Sequence, residues 1–131
     1  MPVVRRTDVA FADLPGRRSA DPVPAGLGDG YAVRVVRVPS GPRTPHLHPH
    51  SDEVTYVVAG TGTAYEGTDD DARLTATRVG PGDTIFVPQG APHATVADDG
   101  TELELLCFFP RGDLAGNLVE LDAPVLTADP A

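Results

Sequence analysis

Three of the four histidines, His46, His48 and His50, lie within five residues of one another. Alternate residues of a β-strand point to the same face, so a strand at this position presents the rings of His46 and His48 side by side. The segment between His48 and Glu53 can form a tight turn that returns the Glu53 carboxylate to the two rings. Two imidazoles and one carboxylate that converge in this way are typical donors of a first-row transition-metal site.

The fourth histidine, His93, follows the turn-forming segment Pro88-Gln89-Gly90-Ala91-Pro92 and opens a β-type run. That turn can point His93 into the same interior. The pair His48 and His50 has the same i, i+2 spacing, but it leaves only two residues before Glu53, too few for a relaxed hairpin. We therefore interpret His50 as exposed or as a neighbour of the ligands, and its role as a ligand stays an alternative.

Short β-type runs between turn signals must position these side chains. No helical period of useful length and no internal repeat occurs, and many closely spaced short strands predict a sandwich or a barrel. We predict strands at 31–38, 53–59, 62–66, 74–79, 84–87, 93–97 and 103–109, with a weaker candidate at 118–121.

The segments outside these runs are rich in turn-forming residues. Residues 14–26 carry three prolines and two glycines, so we expect an extended arm or loop there rather than a helix or a central strand. Residues 122–131 are expected to form a loose tail. The acidic segment 67–71 lacks the alternating ligands and closing glutamate of a calcium loop, so it predicts a solvated hairpin tip.

Composition excludes several classes of function. The formal net charge of −9 repels phosphate backbones, so we expect no nucleic-acid partner. The chain has no lysine, which excludes Schiff-base chemistry and a Walker A phosphate loop. The absence of a long apolar run and of a secretory signal predicts a cytoplasmic protein without a membrane span. The single cysteine, Cys107, lies in an apolar run and is expected to be a buried core residue.

Two segments of the chain resemble the paired motifs of the cupin superfamily. The first is Gly41-x4-His46-x-His48-x4-Glu53-x6-Gly60, and the second is Gly82-x5-Pro88-x-Gly90-x2-His93. They occur in the order found in that family, and the resemblance covers roughly residues 31–110. The interval between Gly41 and His46 is one residue shorter than is usual, and Ala97 stands where the family often has asparagine.

The resemblance implies an all-β fold, a double-stranded β-helix or jelly-roll barrel with an irregular N-terminal arm. We expect one domain over 1–131, with the arm at 1–30, the barrel at 31–110 and a C-terminal segment at 111–131. In cupins the matching residues bind one divalent metal ion, here Fe, Mn, Ni, Co or Zn. The ligands carried over in this way are His46, His48, Glu53 and His93.

Four protein ligands leave two positions of an octahedral ion open, which favours catalysis over a purely structural role. The resemblance implies a metal-dependent enzyme acting on a small organic substrate, with oxygenase chemistry first and isomerase, cyclase or lyase chemistry next. A non-catalytic cupin that binds or senses a small ligand is the alternative, which the alanine at position 97 slightly favours. Cupins of this type commonly form homodimers through sheet edges and N-terminal arms, so we expect a homodimer.

Few other side chains offer acid–base chemistry. The candidates to transfer protons are Tyr56, Tyr65 and Glu104, and strand parity predicts that Thr55 faces the cavity whereas Tyr56 does not. Among the basic residues, one of Arg34, Arg37 and Arg43 could bind a substrate carboxylate with two hydrogen bonds. Arg17 and Arg18 could reach the cavity only if the N-terminal arm folds over it.

Overall fold

The computed structural model of the protein describes residues 1–23, 27–67 and 74–128. Within these ranges the chain forms eleven β-strands and two single-turn 3-10 helices, Arg6–Asp8 and Ala115–Asn117. The strands are β1 (Phe11–Leu14), β2 (Arg17–Ala20), β3 (Ala32–Pro39), β4 (His46–Leu47), β5 (Glu53–Ala59), β6 (Gly62–Glu66), β7 (Thr75–Val79), β8 (Thr84–Val87), β9 (His93–Ala97), β10 (Glu102–Phe109) and β11 (Val119–Glu120). The predicted all-β class is confirmed, and each predicted run coincides with a strand to within two residues at either end.

Two antiparallel sheets form the jelly roll. The six-stranded sheet has the order β1-β2-β3-β10-β5-β8, and the five-stranded sheet has the order β11-β4-β9-β6-β7. Strands β5 and β10 alternate between buried and exposed residues because one face of their sheet packs inward and the other faces outward. The inward side chains Val57, Leu105 and Phe109 pack with Val79 and Ala97 of the other sheet to form the core.

The expectation of an irregular N-terminal arm is wrong for residues 11–20. Strands β1 and β2 form a hairpin, and β2 pairs with β3 through Ala20 opposite Val35. The reason is local, because Pro15 and Gly16 form the two-residue turn of this hairpin and Gly16 has a φ of +70°. These turn residues mark the centre of a hairpin rather than the absence of strands.

The C-terminal segment is also more ordered than a loose tail. The backbone of Leu126 exchanges two hydrogen bonds with that of Arg43, and the Leu126 side chain is buried. Both sheets therefore extend beyond the predicted barrel at 31–110, while the division of the chain into one domain stays a prediction. The predicted hairpin tip at 67–71 lies, from residue 68 onward, outside the described residues. No helix in the described ranges is long and apolar enough to cross a membrane.

Candidate metal centre and its cavity

Three of the four predicted ligands stand where strands begin. His46 opens β4, Glu53 opens β5 and His93 opens β9, while His48 follows one residue after β4 ends. His46 and His93 are direct partners across the β4–β9 pair, so their side chains lie on the same face. Glu53 comes from the opposite sheet. The fold therefore brings donors from both sheets to one point between them.

The geometry of the group suits a single ion. One donor atom from each of His46, His48, Glu53 and His93 lies within 4.8 Å of the others, and all four residues are buried. The ring centroids of His46 and His93 are 4.4 Å apart, and His48 is 5.2 Å from each of them. Three imidazoles and one carboxylate in a compact buried cluster match the preferences of a first-row divalent metal.

Backbone carbonyls orient two of the imidazoles. His48 Nδ1 lies 2.7 Å from the carbonyl oxygen of Asn117, and His93 Nδ1 lies 2.9 Å from that of Ala91. A carbonyl oxygen only accepts hydrogen bonds, so each Nδ1 must be the nitrogen that carries the proton. In the neutral rings the lone pairs are therefore on the Nε2 atoms, the arrangement that metal-binding histidines use.

Both of these Nε2 atoms approach the same carboxylate oxygen. Glu53 Oε1 lies 2.9 Å from His48 Nε2 and 3.1 Å from His93 Nε2, and the contact to His48 does not have hydrogen-bond geometry. His46 Nδ1 is also buried without a partner among the described residues. In the neutral rings, the Nε2 lone pairs repel the carboxylate oxygen that they face. A cation placed between the nitrogens and the oxygen attracts all of them. The residues present thus fit a divalent metal ion.

The protonation states agree with this role. Burial lowers the pKa of His46 well below its ordinary value, and the neighbouring His93 lowers it further. Burial alone would raise the pKa of Glu53, but hydrogen bonds from His48 and His93 in their doubly protonated form hold that pKa well below its usual range, and a metal ion in place of those protons has the same effect. At neutral pH the cluster therefore contains an ionised carboxylate and a neutral His46, the forms that bind metal.

Asn117 supports the cluster, a role that the sequence analysis did not identify. It is fully buried, its carbonyl accepts the hydrogen bond from His48, and its side chain bonds the backbone nitrogen of His50 and the hydroxyl of Ser51. The side chain of His50 is exposed and lies outside the group of possible ligands, as the hairpin argument predicted. Asn117 thereby ties the C-terminal segment to the loop that carries His48.

A cavity of about 390 Å³ opens beside the cluster and separates the inner faces of the two sheets. This size suits a small organic molecule. Thr55 lines the cavity and its hydroxyl donates a hydrogen bond to Glu53 Oε2, whereas Tyr56 is exposed on the outer face. Both parity predictions are confirmed. Cys107 is buried in the cavity wall, and burial raises the pKa of its thiol, so it stays neutral.

The strand register shows which of the predicted proton-transfer residues face the cavity. Glu104 pairs with Arg6 on the outer side of the barrel, away from the cavity. Tyr65 borders the cavity, but its hydroxyl donates a hydrogen bond to the carbonyl of Thr127. Ala97 is packed in the hydrophobic core and does not line the cavity, so an asparagine missing there removes no cavity-lining group.

Glu66 is a cavity residue that the sequence reasoning missed. It stands directly opposite His93 in the β6–β9 pair, so its side chain shares the inner face with the cluster. It lines the cavity, and among the described residues it has no ion pair or hydrogen bond. Strand parity with the inward Gly62 and Ala64 was the signal that could have identified it.

The arginines divide between the two sides of the barrel. Arg37 and Arg18 stack on the ring of Phe11 outside it. Arg17, Arg34 and Arg43 line the cavity. Arg17 arrives there because the N-terminal hairpin folds against β3, the condition under which the arm was expected to contribute.

Comparison with known proteins agrees with this architecture. Residues 21–117, about three quarters of the chain, match the family model described as Cupin. The dimethylsulfoniopropionate lyase DddQ of Ruegeria pomeroyi is 38% identical over 101 residues, which make up 76% of this chain and 43% of that relative. The chain thus spans less than half the length of that relative.

Solved structures of oxalate decarboxylases share the fold. The enzyme of Bacillus subtilis at pH 4.6 superimposes with a TM-score of 0.73 at 23% identity, over 90% of this chain and 32% of that one. The formate complex of the Lactobacillus farciminis enzyme gives a TM-score of 0.71 at 19% identity, over 88% and 34% of the two chains. With the family match, the paired motifs and the two-sheet barrel, the chain belongs to the cupin family.

Proposed function

We propose that this cupin binds one divalent transition metal ion through His46, His48, Glu53 and His93 and catalyses a lyase reaction on a small organic substrate. The observation that carries the proposal is the approach of two imidazole Nε2 atoms, of His48 and His93, to one Glu53 oxygen beside a cavity of substrate size. The donor set suits Fe, Mn, Ni, Co or Zn. When bound, the ion would act as a Lewis acid with two coordination positions left for substrate or water.

Lyase chemistry is favoured over the oxygenase chemistry that the sequence motifs first suggested. The relative from Ruegeria pomeroyi, at 38% identity, is a lyase by name. The four ligands do not separate the two reactions because both reactions use the same kind of centre. The remaining cavity residues supply the second reason, since an elimination requires a base that is not already bound to metal.

Glu66 meets that requirement. The carboxylate of Glu53 accepts a hydrogen bond from Thr55 and belongs to the proposed ligand set, whereas Glu66 has no ion pair or hydrogen bond among the described residues and lies on the same inner face as His93. A substrate bound next to the cluster would place its C–H bonds within reach of Glu66. We propose that Glu66 accepts the proton that is removed from one substrate carbon, while a carbon–carbon double bond forms and the bond to the leaving group on the adjacent carbon breaks.

Replacing His48 tests the metal assignment. We expect His48→Ala to lose stoichiometric metal because one of the four donors is removed, while His50→Ala, on the same loop but exposed, retains the metal content of the wild type. The measurement is the metal-to-protein ratio by mass spectrometry of extensively dialysed protein. Full metal content in His48→Ala would disprove this set of ligands.

Turnover without dioxygen tests the reaction class. Dimethylsulfoniopropionate is the substrate to supply, because it has both the C–H bond and the leaving group that an elimination requires. We expect product formation at the same rate in air and under anaerobic conditions, and its loss after treatment with a chelator. The measurements are product release and dioxygen uptake on the same samples, and dioxygen consumed in proportion to product would show an oxygenase instead.

Glu66→Gln tests the proton acceptor. The variant keeps the shape of the side chain but removes its basicity, so we expect kcat to fall by about 10²–10⁴-fold, the usual contribution of a general base. Metal content should be unchanged, and the control Glu102→Gln, exposed on β10, should retain wild-type turnover. Wild-type kcat in Glu66→Gln would exclude this role.

We also propose that two copies associate through the outer face of the six-stranded sheet. Neighbouring strands place six apolar side chains together there, each between 39% and 57% exposed: Val54, Tyr56, Val58, Phe86, Leu106 and Phe108. They expose roughly 500–600 Å² of apolar surface, at the upper end of the largest patches on monomeric proteins. A standard homodimer interface needs about 800 Å² per partner, some 65% of it apolar, and this face supplies that apolar share.

The association is tested by light scattering during size exclusion at 0.15 M salt, where repulsion between the acidic copies is screened beyond about 8 Å. We expect a dimer for the wild type. Leu106→Glu introduces a charge at the centre of the face and should give a monomer, whereas Val119→Glu, equally exposed on β11, should remain a dimer. A monomeric wild type at all concentrations would refute the proposed interface.

A further inference from the structure

Arg43 is a buried cation without a counter-ion. Its side chain is only 6% exposed, and no carboxylate of the described residues lies within ion-pair distance of it. Its Nη1 donates a hydrogen bond to the carbonyl of Thr95 at 3.0 Å, but Nε and Nη2 are buried without an acceptor. Burying a charge and leaving its donors unpaired is costly, so a partner absent from the chain itself is to be expected.

The other two arginines of the cavity differ from Arg43 in this respect. Arg17 Nη2 lies 2.9 Å from Glu120 Oε1, and Arg34 Nη1 lies 3.5 Å from Asp21 Oδ2. Their charges are already balanced within the fold. Burial and the adjacent charge of Arg17 lower the pKa of Arg43 to about 10, so its guanidinium is still charged at neutral pH.

The backbone around Arg43 holds the side chain in place. Two hydrogen bonds to Leu126 fix its main chain, and the turn of the N-terminal hairpin packs against its stem. A Cβ atom added at Gly16 would lie 2.8 Å from Arg43 Cβ, so only glycine leaves room for the arginine here. Two segments distant in sequence therefore fix a residue that precedes the ligand His46 by three positions.

We propose that Arg43 binds a carboxylate group of the substrate, with the rest of the substrate extending along the cavity toward the metal cluster. Nε and Nη2 share one edge of the guanidinium, and that edge matches the two oxygens of a carboxylate. The side chain lines the same cavity as His46, Glu53 and Glu66. Nε and Nη2 are enclosed by neighbouring atoms, so a carboxylate that enters from the cavity must displace the side chains packed over that edge. This inference rests on the proposed function only for the identification of the ligand as a substrate.

Binding of propionate to protein freed of metal by a chelator isolates the contribution of Arg43, because a carboxylate could otherwise bind the ion. We expect calorimetry to detect propionate binding to the wild type and much weaker binding of propionamide, which has the same shape without the charge. Arg43→Gln should weaken propionate binding at least tenfold. The matched control Arg34→Gln, at a cavity arginine already paired with Asp21, should bind propionate as the wild type does.

Several results would overturn the proposal. These are equal affinity for propionate and propionamide, unchanged affinity in Arg43→Gln, or phosphate and sulfate binding as tightly as propionate, which would show a general anion site. If Arg43→Gln does not fold, Arg43→Lys replaces it, and the loss of the bidentate edge should still weaken propionate binding while leaving propionamide unaffected. Because these measurements need neither metal nor turnover, a failure of the lyase proposal would leave their outcome intact.

Discussion

The contact of Glu53 Oε1 with two imidazole nitrogens is the constraint on which the rest of the site depends. In the neutral rings each Nε2 carries a lone pair, because the opposite nitrogen donates its proton to a backbone carbonyl, of Asn117 for His48 and of Ala91 for His93. The donor atoms are therefore held in position, but without a cation the Nε2 lone pairs and the Glu53 oxygen repel one another. Such a cluster is tolerable in a buried position only when a cation completes it, which relates the local backbone geometry to the proposed metal dependence.

The two-sheet architecture makes this contact possible. Glu53 belongs to one sheet and His46 and His93 to the other, so the ligands also bridge the two halves of the barrel. The inner faces diverge beside the ligands and leave the cavity, while the outer face of the six-stranded sheet keeps exposed apolar side chains. Alternation along β5 thus assigns Thr55 to the cavity and Tyr56 to the proposed subunit interface.

Much of this arrangement could be predicted from the sequence because its signals are local. Turn residues delimit the strands from 31 to 109, and the spacing of His46, His48 and Glu53 defines a hairpin whose ends must meet. The N-terminal hairpin was missed because Pro15 and Gly16 were interpreted as breaking strands rather than joining them. Asn117 could not be found, because it acts through a backbone carbonyl whose position depends on how the C-terminal segment packs.

Charge in the cavity connects the separate proposals. The pairs Arg17–Glu120 and Arg34–Asp21 are each balanced internally. The carboxylates of Glu53 and Glu66 together balance the two charges of a divalent ion. Arg43 then remains as one unmatched positive charge, which a substrate with a single carboxylate neutralises. A substrate without a carboxylate would leave that buried charge uncompensated, so the same electrostatics that favour a metal ion at the cluster also favour a substrate that carries a carboxylate beside it.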